Sequence, residues 1–301
     1  MTITPELPAD QASSPVERPA DRTFARLRRN PAAFLSLIFL ATVGVVALFA
    51  PLLAPYPFAH QELTHGLQGP SRAHLLGTDD LGRDTLSRLL YGARISLTVA
   101  FAVESFVLAV GVTTGLVAGY FGGFIDGLLM RFTDVMLAFP DILLAILLLG
   151  ILGAKASPAA SILLVILALG VTGWPPLARL VRGQVLSLRR REFVEAARAL
   201  GATNARIVFR HILPNLISPV LVAATVDIAG VIVAEATLSF LGIGVQRPFP
   251  SWGRMINDAL DYYKSHPLLL ILPSVLLSLT VLALNFLGDG LRDALDPRRK
   301  R

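Results

Sequence analysis

The sequence predicts an all-α, polytopic membrane fold with six transmembrane helices, and three observations carry that prediction. The 301-residue chain is 54% hydrophobic and 16% charged, whereas soluble domains are about a quarter charged. Its mean hydropathy is +0.64. Apolar stretches recur that reach the roughly 20 residues a helix needs to cross about 30 Å of hydrocarbon, a length that a soluble core helix does not require.

Taken in order, residues 1–30 carry Pro5, Pro8, Pro15 and Pro19 among small and charged residues and read as a disordered tail. They hold no short apolar core with a small-residue cleavage site, so the first apolar helix is expected to act as an uncleaved anchor. Spans are expected at about 33–54, 95–120, 128–152, 159–181, 216–241 and 268–288. The corresponding organisation is a first helix with its outer loop over 31–94, a five-helix core over 95–289 and a basic tail over 290–301.

Orientation is read from the arginines. Arg22, Arg26, Arg28 and Arg29 precede the first span; Arg179, Arg182, Arg189, Arg190, Arg191, Arg198, Arg206 and Arg210 crowd the connection between the fourth and fifth; Arg298, Arg299, Lys300 and Arg301 end the chain. With six spans all three clusters fall on one face, which the positive-inside rule makes cytoplasmic, with both termini there. The loops on the other face offset Arg72, Arg83, Arg88 and Arg94 with Glu62, Asp79, Asp80 and Asp84. The formal net charge of +6 is therefore a topology signal and not a nucleic-acid surface. The absence of cysteine removes disulfides, thiolate metal sites and cysteine nucleophiles.

Within the spans, Gly111, Gly115, Gly119, Gly123 and Gly127 recur every four residues, placing small residues on one helix face where a neighbour in the bundle can approach closely. Pro140, Pro175, Pro176 and Pro273 interrupt apolar stretches and allow kinks. Glu104, Asp134, Asp141, Asp227 and Glu235 lie within or near the ends of spans, where ionisable groups usually face the bundle interior or a wet cavity. Arg131 lies one turn before Asp134, which favours a local ion pair. Asp227 and Glu235, eight residues apart, are candidates for lining a pathway on a shared face; polar contacts to a second subunit account for them equally well.

The connection over 189–215 reads RRREFVEAARALGATNARIVFRHILPN. It is too polar to span and too regular for a random loop. Glu192–Leu200 suits a short helix closed by Gly201 in the left-handed conformation. Thr203 then N-caps a second short helix carrying Ile207, Val208, Phe209 and Ile212, expected to stop at Pro214. This knob either packs on its own helix ends as a connector or docks into a partner.

The segment resembles the EAA loop of ABC importer permeases: Glu195, Ala196, Ala197, Gly201, Leu213 and Pro214 match that pattern in register, with His211 and Ile212 in the His-Ile-Leu-Pro-Asn form of the peptide-importer branch. LLGTDDLGRDTLSRLLYGARISL (75–97), AEATLSFLGIGVQRPFPSWGRMI (234–256) and the closing LRDALDPRRK are similar to the corresponding regions of dipeptide, oligopeptide and nickel importers. The long outer loop before the second span resembles that of the second permease subunit in this branch. The resemblance implies a type I ABC importer permease architecture and an inner-membrane location in bacteria. It implies as partners a homologous permease subunit, two ATP-binding-cassette ATPases and an extracytoplasmic solute-binding protein. Glu195, Ala196, Ala197, Gly201, Leu213 and Pro214 would couple the permease to the ATPases.

No catalytic residues, metal ligands or cofactors are expected of this chain. It lacks a G-x-x-x-x-G-K-[ST] loop, H-E-x-x-H and G-x-S-x-G. His60, His65 and His74 fall in one outer loop and read as solvated side chains rather than a metal site. The competing class, an ATPase-independent secondary transporter, is expected to show inverted repeats with paired broken helices, and no such repeat is evident. Within the ABC reading, peptides are the expected solute, with nickel or another small solute as the alternative.

Overall fold

A computed structural model describes residues 27–153 and 156–295. Of the tail expected over 1–30, residues 1–26 lie outside the described residues, as do the last basic residues, 296–301; residues 27–29 are helical and not part of a disordered tail. The regular structure among those described is helical: α1 (Pro31–Leu48), α2 (Ala50–Leu53), α3 (Thr85–Phe121), α4 (Gly123–Leu137), α5 (Asp141–Gly153), α6 (Pro158–Leu188), α7 (Glu192–Ala199), α8 (Asn204–Ile207), α9 (Leu213–Phe240), α10 (Trp252–Asp258) and α11 (Pro267–Leu295), with a π turn at Val208–Ile212. Five units are long and apolar enough to cross a membrane: α1, α3, α6, the run from Asn204 to Phe240, and α11.

The sixth span is not one helix. The stretch expected at 128–152 belongs to α4 and α5, which are bent by 81° at their junction. Pro140 has no N–H to carry a helical ladder forward. The Ala138 N–H closes α4 on the Asp134 carbonyl at 3.0 Å, and Asp141 then opens α5 by accepting from the Ile142 N–H at 2.7 Å. Among the four prolines noted above, Pro140 is the one at a break. α6 runs through Pro175 and Pro176, and α11 through Pro273.

Two further boundaries move. Residues 85–94, assigned above to the outer loop, are the first turns of α3, because Asp84 accepts from the Ser87 N–H at 2.7 Å and starts the helix there. Residues 290–295, assigned to the tail, continue α11.

The centre of the bundle is the α3/α6 pair. Gly111, Gly115 and Gly119 face α6 so closely that a Cβ on them would stand 3.1 Å from Leu177 Cβ, 2.7 Å from Val181 Cβ and 2.8 Å from Val185 Cβ. Lipid is as apolar as a side chain, so this contact is held by close packing and not by the hydrophobic effect. The stripe ends at Gly119: the chain turns at Gly122 (φ +70°), and a Cβ on Gly123 or Gly127 would meet nothing within 4 Å. Val99, Val103 and Val107 of α3 and Val165, Val181 and Val185 of α6 complete the core. Leu48, Leu143, Ile151, Leu163 and Val275 stand exposed on the outside of the bundle, where lipid or another subunit would cover them.

One end of the bundle carries the 189–215 connection. Arg189 Nη1 donates to the Gly119 and Tyr120 carbonyls at 3.0 and 3.3 Å, closing the C-terminus of α3. Gly290 of α11 lies against Ala33 and Leu27, so the start of α1 and the end of α11 meet there too.

The opposite end is sealed by a buried ion network. Arg83 and Arg88, 1% and 2% exposed, reach Asp79 at 2.7 and 3.2 Å and Asp258 at 3.5 and 3.4 Å. Arg247 and Arg254 hold the same Asp258 at 2.9 and 3.1 Å. The network joins the loop before α3 to α10, linking residues far apart in the sequence. His74 pairs with Asp84 at 3.0 Å, and His60 and His65 bracket Glu62 at 3.0 and 2.7 Å.

Candidate functional site

The 189–215 connection forms a folded knob at the basic end. α7 ends in a Schellman turn: the Ala202 N–H reaches the Ala197 carbonyl and the Gly201 N–H the Arg198 carbonyl, both at 3.0 Å, with Gly201 at φ +77°. Thr203 accepts from the Arg206 N–H at 3.3 Å and caps α8, as its sequence position predicts. Val194, Ile207, Val208 and Ile212 are buried and fasten the knob to the core. Tyr120 Oη donates to Asn204 Oδ1 at 2.8 Å, tying the knob to the end of α3.

The chain does not stop at Pro214. α8 continues through the π turn, whose wider coil brings the Leu213 N–H back to the Val208 carbonyl, and passes into α9. Pro214 lies in the first turn of α9, directly after the π turn. Asn215 Nδ2 donates to the His211 carbonyl at 2.7 Å across the same junction. The knob is therefore rigidly continuous with a span, which the expected break at Pro214 did not provide.

The six residues matched to the EAA pattern occupy two places. Glu195, Ala196, Ala197 and Gly201 lie on α7 and its closing turn, and Leu213 and Pro214 lie where the knob enters α9. Glu195, Ala196, Gly201 and Pro214 are exposed; Ala197 and Leu213 are half-buried. Around them stand Leu200, Phe209 and Phe193, exposed by 88%, 68% and 43%. An apolar projection this exposed, on a segment held this firmly, is the form of a docking surface.

Beside the knob, Arg182 of α6 grips Asp126 of α4 with two parallel hydrogen bonds of 2.6 Å. Arg179 reaches Asp134 at 2.6 Å. Asp134 thus pairs across to α6 rather than with Arg131 of its own helix. Such cross-helix pairs depend on which helices become neighbours, and local spacing does not report that.

The two pathway candidates on α9 sit in different surroundings. Glu235 is fully buried. Ser239 Oγ donates to it at 2.6 Å and Ser96 Oγ at 3.2 Å, and the Ser251 hydroxyl also bonds to it. Ser96 Oγ in turn accepts from the Trp252 N–H. Glu235 joins α3, α9 and the start of α10, and in this position it ties elements together and faces no open space. Asp227 instead lines a cavity of about 320 Å³ between α3, α6 and α9, and the other acidic residue on its wall is Glu104 of α3. The shared face expected for Asp227 and Glu235 is thus replaced by a pair formed between helices.

Comparison with known proteins gives this arrangement a family. Residues 111–301 match the family described as binding-protein-dependent transport system inner membrane component. Residues 19–70 match the N-terminal TM domain of oligopeptide transport permease C. Similar curated proteins include the dipeptide transport system permease protein DppC of Alkalihalophilus pseudofirmus, 43% identical over 100% of this chain and 97% of its own length. The oligopeptide transport system permease protein OppC of Bacillus subtilis is 39% identical over 92% of this chain and 88% of its own. The glutathione transport system permease protein GsiD of Escherichia coli is 43% identical over 95% and 92%. Among solved structures, an inward-facing MetNI methionine ABC transporter chain superposes with a TM-score of 0.56 at 22% identity, covering 69% of this chain and 97% of that one, which speaks for the fold. The chain belongs to the family of binding-protein-dependent transport system inner-membrane components, and is a permease subunit of an ABC importer.

Proposed function

We propose that this subunit forms half of a translocation pathway for peptides, pairs with a homologous permease subunit, and docks a cytoplasmic ATPase through the 189–215 knob. The observation that carries the coupling reading is the knob itself: exposed Leu200, Phe209 and Phe193 on a unit fastened to α3 and continuous with α9. A push on such a unit moves spans and does not dissipate in a loop. Two ATPases closing on ATP would then bias a two-state bundle, while a loaded binding protein biases it from the other face. ATP hydrolysis belongs to those partners, and the basic end is the cytoplasmic one.

Peptide as substrate is supported by relatives named for dipeptide, oligopeptide and glutathione transport at about 40% identity over nearly the whole chain. The test replaces Glu195–Gly201 with a flexible linker and compares what co-purifies with detergent-solubilised protein. The expected outcome is that a second permease co-purifies with both forms and an ATPase only with the unmodified one. An ATPase retained by the linker variant overturns the coupling assignment, and a protein that moves peptide into liposomes alone overturns the ABC mechanism.

A further inference from the structure

Glu104 sits midway along α3 and is only 3% exposed, yet neither of its carboxylate oxygens accepts a hydrogen bond. Its near neighbour is another acid: the Asp227 carboxyl of α9 stands within hydrogen-bonding reach. Among the described residues neither acid pairs with an arginine, lysine or histidine, and a third carboxylate, Asp141, acts on Asp227 through space. The rest of the network in this protein is arranged otherwise. Asp79 and Asp258 are met by arginines, and buried Glu235 is met by three hydroxyls. Glu104 is the buried member of the pair and Asp227 is exposed on the cavity wall; a buried carboxylate left without donors is costly, and an ionisable group within a span marks a functional site.

That something has room to enter. The pair lies on the wall of the cavity of about 320 Å³, whose other lining includes Leu177, Leu180, Val222 and Val226. The volume suits a group of several heavy atoms. Two carboxylates and an apolar wall do not provide the six or more oxygens that a hard divalent cation takes, but they match a primary ammonium, which brings three donors and one charge.

We infer that Glu104 and Asp227 form a binding site for the ammonium group of the transported solute, its carbon skeleton resting on the apolar wall between α6 and α9. This deepens and rests on the peptide-importer reading, in which every unblocked peptide carries such a group.

The test uses the complete assembly, with partner permease, ATPases and binding protein, in proteoliposomes, and trialanine as the probe. Glu104→Gln and Asp227→Asn keep shape and remove charge, and Glu104→Asp keeps charge. The expected result is a loss of trialanine uptake of about tenfold or more in the two amide variants. ATP hydrolysis stimulated by loaded binding protein should stay within about twofold of wild type, and Glu104→Asp should retain most of the uptake. Uptake unchanged in the amide variants overturns the ammonium site and leaves the peptide reading intact. A parallel fall of uptake and ATP hydrolysis also overturns it, since that makes the pair structural. A wild-type assembly that carries no trialanine removes the peptide reading and the site with it.

Discussion

Gly201 separates the two things a substitution in the knob can do. Its φ of +77° lies where L-residues are strained, and a Cβ built on it meets nothing within 4 Å. Gly201→Ala therefore costs only backbone strain, about 1–2 kcal/mol, against the roughly 5–15 kcal/mol that holds a typical domain. The chain should remain folded in the membrane. Asn enters the left-handed region more easily than Ala or Asp. If the turn faces solvent, transport should follow backbone strain, with Gly201→Asn the mildest change. If the turn is pressed against an ATPase, transport should follow side-chain size and charge, with Ala mildest, Asn worse and Asp worst. Placing an unpaired carboxylate in a dry interface costs several kcal/mol, and each 1.4 kcal/mol is tenfold in affinity, so Gly201→Asp is expected to lower coupled transport by about a hundredfold or more. The assay is ATP-dependent dipeptide uptake, alongside recovery of the ATPase in a pull-down and of the permease in membranes. Wild-type uptake by Gly201→Asn together with impaired uptake by Gly201→Ala would refute the docking argument.

Other substitutions test the bundle. Asp258→Asn removes the carboxylate shared by Arg83, Arg88, Arg247 and Arg254; it should cost about 3–5 kcal/mol, visible as earlier thermal unfolding and faster proteolysis of the outer loops, and an unchanged melting curve would count against the network. Asp80→Asn should act oppositely. Burial, with Asp79 adding to it, holds the Asp80 carboxyl above its ordinary range against the pull of Arg83 and Arg247. Its contribution is fully present at pH below the ordinary carboxylate value and is lost as pH rises through the raised one. The variant should match or exceed wild-type stability at pH 7, and a clear destabilisation there would show that the pull of the arginines prevails. Gly115→Val forces β-carbon bulk into α6 beside Val181; overpacking of about 1–3 kcal/mol should lower the melting temperature in detergent, whereas Gly127→Val, with open space around it, should not.

The sequence by itself determined the class, the positions of most spans, and the knob with its Gly201 turn and Thr203 cap. These are local properties: apolar length, charge placement and capping chemistry act within a few residues, and they can be read in one dimension. The packing of Gly111, Gly115 and Gly119 was legible as a stripe for the same reason. Only the tertiary structure decided which helix met that stripe, that Asp126 and Asp134 are held by α6, that Glu235 is enclosed by three serines while Asp227 faces a cavity with Glu104, and that Pro214 opens a helix instead of ending one. Each of these depends on what stands opposite a residue in space. A proline at an apolar position reads the same whether the chain breaks, as at Pro140, or continues, as at Pro175, because neighbouring elements settle where the chain can turn.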